Sequence, residues 1–179
     1  RIRPVGTVEE MLDNVLAGGT LLLVDGAAEA LLIGLRRSEY RAVGEPGTEN
    51  VVRGPREGFI ESLRANASML RRRIRNPNLR FEQVTVGRQT RTDICIVYLA
   101  GVVKPGLVAE IKRRLKRVHT DSVLDSGYVE AFIEDAPYSI FATVGSSERP
   151  DAVAGKLLEG RAAIIVDGSP FVLTVPMLF

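Results

Sequence analysis

Leu16-Ala17-Gly18-Gly19-Thr20-Leu21-Leu22-Leu23-Val24-Asp25-Gly26 decides how this chain is built, because its plan returns near the other end. There Leu158-Glu159-Gly160-Arg161-Ala162-Ala163-Ile164-Ile165-Val166-Asp167-Gly168 follows at a constant offset of 142 (167 − 25) with no gap. Each copy reads as a helix end, a glycine stop, a short apolar strand and an Asp-Gly turn into a second apolar run. Asp-Gly predicts a tight hairpin, since both central residues of a type I′ turn need positive φ. Identity between Leu16–Ile33 and its counterpart is six positions in eighteen, so the pattern rather than the letters points to a duplicated unit.

Working outward, Thr7-Val8-Glu9-Glu10 has capping-box spacing and predicts a helix to about Leu16. The first hairpin is expected near Thr20–Val24 and Ala28–Leu35. Residues 36–58, rich in Gly, Pro, Glu and Arg, read as a long connection. Leu63, Ala67, Leu70 and Ile74 recur at helical spacing and predict a helix over Phe59–Ile74, stopped by Asn76-Pro77. Strands are expected at Phe81–Val86 and Asp93–Leu99. Helices follow after Lys104-Pro105-Gly106 to about Val118, near Tyr128–Glu134, and from Pro150 into the second hairpin. The fold class is therefore mixed α/β, with duplicated αβ subdomains that each end in a helix plus β-hairpin. The first copy has no front half, so residues 1–35 read as the C-terminal part of a first subdomain. Residues 36–58 are the linker and 59–179 a second subdomain. Such a truncation leaves a strand edge that something must cover.

Composition narrows the function classes. The 179 residues are 45% apolar and 26% charged, ordinary values for a globular protein. A net charge of +2, from 24 basic and 22 acidic residues, does not call for nucleic acid. The single cysteine, Cys95, lies in an apolar strand and reads as an inert core thiol, which fits a reducing compartment. No apolar run reaches membrane-spanning length. The start at Arg1 and the apolar end Val175-Pro176-Met177-Leu178-Phe179 read as a piece of something longer.

Two places offer candidate sites. Arg53 and Arg56, in Arg53-Gly54-Pro55-Arg56-Glu57-Gly58-Phe59, stand before a predicted helix start, where amides and the helix dipole favour an anion. The same residues also read as a structural joint. Arg113, Arg114, Lys116 and Arg117 on the Gly106–Val118 helix are candidate contacts for a partner or anionic lipid, against the plainer reading of a solvated face. Arg64, Arg71, Arg72, Arg73 and Arg75 form a similar cluster, but no nucleic-acid motif accompanies either. His119, Asp121 and Asp125 match no metal spacing, so no metal or other cofactor is expected. Asp25 and Asp167 are explained by their own turns. No nucleophile–base arrangement is present, so an enzyme is not expected.

Several motifs together resemble one family. Val51–Phe59 runs into Ser62-Leu63-Arg64-Ala65-Asn66 and Leu70-Arg71-Arg72-Arg73-Ile74. Later come Leu124-Asp125-Ser126-Gly127-Tyr128, Glu148-Arg149-Pro150-Asp151, Leu158-Glu159-Gly160-Arg161 and Val166-Asp167-Gly168-Ser169-Pro170-Phe171. The set resembles the soluble N-terminal region of the A subunit of GerA-type spore germinant receptors. The resemblance implies a cytoplasmic-side (spore-core) module at the inner membrane of an endospore, working with B and C subunits in nutrient sensing. It also implies self-association of A subunits. Its implied role is assembly and signal transduction without chemistry; a small-molecule or anion-binding domain, or a SpoVAF-like paralogue, stays open beside it. Ser147, where the family usually has Thr, and the single proline of Pro137-Tyr138-Ser139-Ile140-Phe141 depart from the pattern.

Overall fold

The computed structural model describes residues 2–33, 46–49, 54–134 and 143–177. The first part holds β1 (Ile2–Val5), α1 (Val8–Leu16), β2 (Thr20–Leu22) and β3 (Ala30–Ile33). Next come α2 (Leu63–Arg73), β4 (Leu79–Val86), β5 (Thr92–Leu99), α3 (Leu107–Lys116) and α4 (Ser126–Ile133). The chain closes with β6 (Gly145–Ser147), α5 (Pro150–Leu158), β7 (Ala162–Val166) and β8 (Val172–Val175). Two antiparallel sheets result, ordered β1-β3-β2 and β4-β5-β7-β8-β6.

The 142-residue echo is a structural repeat, and it reaches further back than the sequence indicates. Moved by 142, α1 falls on α5 and β3 on β8, end for end. The pairs Arg3↔Leu32, Pro4↔Leu31 and Val5↔Ala30 become Gly145↔Thr174, Ser146↔Leu173 and Ser147↔Val172. Thr20↔Ile33 likewise becomes Ala162↔Val175. The repeated unit is thus β-α-β-β. Its first strands, β1 and β6, escape the sequence reading: Gly-Ser-Ser carries no apolar alternation, and Pro4 interrupts the other.

Helix ends repeat as well. Gly18 and Gly160 sit at φ +86° and +87°, and the amides of Gly19 and Arg161 bond back to the carbonyls of Asn14 and Lys156. This left-handed stop satisfies carbonyls that the helix end would otherwise orphan. The Asp-Gly turns differ from the type I′ expectation. Only the glycines, at +81° and +87°, have positive φ, and each turn sits in a longer loop closed by Ala27 N–H to Val24 O or Ser169 N–H to Val166 O.

In the second unit the five-stranded sheet is the middle of three layers. Cys95, Val97, Ala163 and Ile165 face α2 and α5, packing with Met69, Leu70, Val153 and Leu157. Ile94, Ile96, Ile164 and Val166 face α3 and α4, packing with Ile111, Leu115, Val129 and Ile133. All five β7 residues are buried, which explains its unbroken apolar run. Cys95 is a core thiol, and burial pushes its pKa up to about 11.

Helix α2 begins four residues later than expected, at Leu63 rather than Phe59. Ser62 is its N-cap, and the side chain of buried Asn66 accepts from Ile60 N–H and donates to Ile60 O, holding Phe59 and Ile60 off the helix. Asp167 does more than shape its turn: its Oδ1 accepts from Leu63 N–H at 3.0 Å, and Gly168 N–H donates to Glu61 O. The last hairpin therefore clamps the start of α2.

The repeat makes a direct stability prediction. Ile165→Ala removes a fully buried side chain and should cost about 2–5 kcal/mol. Leu23→Ala, at the equivalent position where the residue is 72% exposed, should cost under about 1 kcal/mol. Urea unfolding of the two variants checks this; equal losses would contradict it.

Candidate functional site

Glu57 and Phe59, just after the Gly54-Pro55-Arg56 turn, tie the approach to α2 to distant parts of the chain. Arg53 lies outside the described residues, and Arg56 is exposed on the approach to α2. Glu57 pairs with Arg72 at 3.1 Å and Arg73 at 2.8 Å, tying the segment to the last turn of α2. Phe59 is buried, and its N–H donates to Glu148 O at 2.7 Å. The buried Glu148 carboxylate also accepts from Thr48 N–H at 2.9 Å and Thr48 Oγ1 at 3.0 Å. Ser147 Oγ donates to Glu49 at 2.8 Å. Residues 46–49 and 54–60 are thus held at the corner between β6 and α5. This knot joins residues about 100 apart and left no local signal in the sequence. The Pro137–Phe141 loop lies outside the described residues.

The basic face of α3 is largely neutralised by its own neighbourhood. Glu110 accepts from Arg113 at 2.5 Å and from Arg114 at 2.7 Å, pairs at i,i+3 and i,i+4. Arg114 also donates to Ile133 O, linking α3 to the end of α4. Lys112 reaches across to Glu82 on β4, which accepts from the Tyr98 hydroxyl as well. The Lys112 and Tyr98 hydrogen bonds hold the Glu82 carboxyl below its ordinary range, and Glu82 in turn raises Tyr98. Only Lys116 and Arg117 of the four expected contacts are left without an ion pair among the described residues.

Arg117 shares a shallow pocket with one end of an exposed apolar strip, while Lys116 lines a separate cleft with Val84, Arg88 and His119. Leu124, Tyr128 and Phe132 are spaced by four and are 62%, 44% and 43% exposed. Val129 and Ile133 of the same helix point into the core. Phe132, Arg114, Arg117 and Glu134 line a shallow pocket of about 280 Å³. That spacing by four is visible in the sequence, where the charges of α3 are the stronger pattern. A second cleft of about 300 Å³ lies where Leu16 meets Arg71, Asn76, Pro77, Leu79, Arg80 and Phe81, with Arg71 4.4 Å above the Phe81 ring. His119 is exposed with Nδ1 2.7 Å from Arg117 O, and no metal-holding group of His, Cys, Asp and Glu occurs among the described residues.

Hydrogen bonds from Arg113 and Arg114 depress the Glu110 carboxyl to about 2. A depressed carboxyl contributes stability above its unfolded value, 4.5, and loses it as pH falls through the folded value. Carboxyl NMR should therefore place the Glu110 midpoint near 2; a midpoint at 4.5 would contradict the pairing.

Comparison with known proteins agrees over the full length. The model of the family described as Bacillus/Clostridium GerA spore germination protein matches residues 1–179. Spore germination protein KA of Bacillus subtilis is 47% identical over 171 residues, covering 96% of this chain and 31% of that protein. Stage V sporulation protein AF of B. subtilis is 38% identical, covering 98% of this chain and 36% of that protein. The chain thus spans about a third of the length of these relatives. The crystal structure of the N-terminal domain of the A subunit of the Bacillus megaterium spore germinant receptor GerK3 superposes with a TM-score of 0.72 at 38% identity. That match covers 100% of this chain and 64% of the solved one. No helix among the described residues is long and apolar enough to cross a membrane. On the family match and the shared fold, the chain belongs to the GerA spore germination protein family.

Proposed function

We propose that this chain is a non-catalytic module of a germinant-receptor A subunit, acting in receptor assembly and in nutrient-triggered signalling at the spore inner membrane. The observation that carries this reading is the full-length fold match to an A-subunit N-terminal domain. On this reading the module lies on the spore-core side and meets B and C subunits and other A subunits. Residues 1–35 belong to one subdomain, 36–58 link, and 59–179 form the other. The 47% identity to spore germination protein KA supports the receptor reading, with the stage V sporulation protein AF-like paralogue as the alternative.

The contact surface on this reading is the α3–α4 face, where Arg117 borders Phe132 at one end of the strip of Leu124, Tyr128 and Phe132, with Lys116 on the adjoining side of α3. Cations without an ion pair among the described residues, near an exposed apolar strip, suit an acidic subunit surface with an apolar centre. Arg53, Arg56, Arg113 and Arg114 are secondary candidates, the last two being engaged by Glu110. In the assembled receptor, Lys116→Glu with Arg117→Glu should reduce co-purification of the other subunits and the nutrient response about tenfold. Thermal unfolding of the domain should not change. Normal assembly and response in that variant would refute the assignment.

The cleft between Leu16 and Arg71 supports a second reading, a small-molecule or anion-binding module. Calorimetry with amino acids, sugars and inorganic phosphate checks it: saturable heat abolished by Arg80→Ala is expected, and silence at millimolar concentration removes it.

A further inference from the structure

Helix α3 lies against β4, and the charges between them are matched at one rung and unmatched at the next. Lys112 pairs with Glu82 of β4. One helical turn on, Lys116 lines a cleft of about 360 Å³ whose other cation is Arg88, just past the end of β4. None of the residues lining this cleft is acidic. Neither Arg88 nor Lys116 has an ion pair among the described residues. Two like charges gathered in one cleft repel each other, and an anion between them replaces that cost with attraction. His119 adds a third nitrogen to the same lining. Its Nδ1 stands 2.7 Å from Arg117 O, an oxygen that only accepts, so Nδ1 carries the proton and Nε2 is left for a ligand. Nε2 can accept from the P–O–H of a monoanion or, once protonated, donate to a dianion.

The walls of the cleft are fixed before any ligand arrives. Arg88 N–H donates to Thr120 O at 3.0 Å, and Gln89 N–H donates to Asp121 O at 2.9 Å. Val123 N–H donates to Thr90 Oγ1, and the Thr92 hydroxyl donates to Val123 O. Gly87 makes the turn at φ +90°, where a Cβ would stand 2.5 Å from Thr90 Oγ1. The β4–β5 turn is thus stitched to the segment after α3, and little ordering remains to oppose binding. The Thr85 and Thr120 hydroxyls of the lining donate to Asp93 and to Ser122 O, so the side-chain donors left for a ligand are nitrogens. We propose that this cleft binds a phosphate monoester group. Arg88 offers a planar fork of N–H donors, Lys116 a point charge and His119 one ring nitrogen, which suits three terminal oxygens better than the two of a carboxylate. Val84 and Val118 supply apolar lining for a short carbon chain, and the volume lies at the small end of ligand sites.

Amide NMR of the chain, titrated with inorganic phosphate and with glycerol phosphate, tests this. Saturable shifts at Gly87, Arg88, Lys116 and His119 are expected, with half-saturation below about 10 mM. Arg88→Ala and Lys116→Gln should each weaken binding about tenfold or more and leave the urea midpoint unchanged, since both side chains are exposed. Sedimentation with phosphatidylcholine vesicles carrying phosphatidic acid separates the two sources of such a group. Vesicle binding lost in Arg88→Ala makes the source a lipid headgroup, and shifts with glycerol phosphate alone make it a soluble ester. Binding to none of these probes overturns the proposal. So do shifts that sodium chloride reproduces at matched ionic strength, and so does undiminished binding by both variants. Arg88 takes no part in the subunit surface proposed above, so a negative result here leaves that assignment standing.

Discussion

Strand β7 is the constraint on which the rest depends. It hydrogen-bonds to β8 on one edge and β5 on the other, and both its faces are buried. A strand so enclosed accepts only apolar side chains, and each large one withdrawn from water contributes about 1.5–3 kcal/mol. The helix layers are placed by this strand and its neighbours. Asp167 and Gly168, just past its end, then fix where α2 begins.

The first unit keeps the same backbone logic without the enclosure. Its helix, hairpin and edge strand share the register of their counterparts, so local geometry does not need the surrounding layers. What differs is burial: β2 is shorter than β7, and two of its three residues are exposed where all five of β7 are buried. A duplicated β-α-β-β unit with unequal cover explains why exposed apolar residues gather in the first fifth of the chain. The strip of Leu124, Tyr128 and Phe132 is separate, since it lies on the covered unit and meets Arg117, which has no ion pair among the described residues.

Much of this was legible in the residues. Capping at Thr7, the glycine stops at Gly18 and Gly160, Pro150 as a helix opener and the apolar runs around β5 and β7 all act locally. The edge strands β1 and β6 were not legible, because three or four residues supported by a neighbour need no pattern of their own. Contacts across the chain were also invisible: Asp167 reaches Leu63, Glu148 holds Thr48, and Lys112 meets Glu82. The pairing of Glu110 with Arg113 and Arg114 was open to reading from their helical spacing. The apolar spacing of Leu124, Tyr128 and Phe132 was in plain view, but its exposure depends on which face of α4 the core takes.

The central claim is a shared register between the two units, and cross-strand nuclear Overhauser contacts test it most directly. The account predicts contacts between Pro4 and Leu31 and, in the same spectrum, between Ser146 and Leu173. A slip of one residue in either pair, or pairing of β1 with β2 instead of β3, would contradict it.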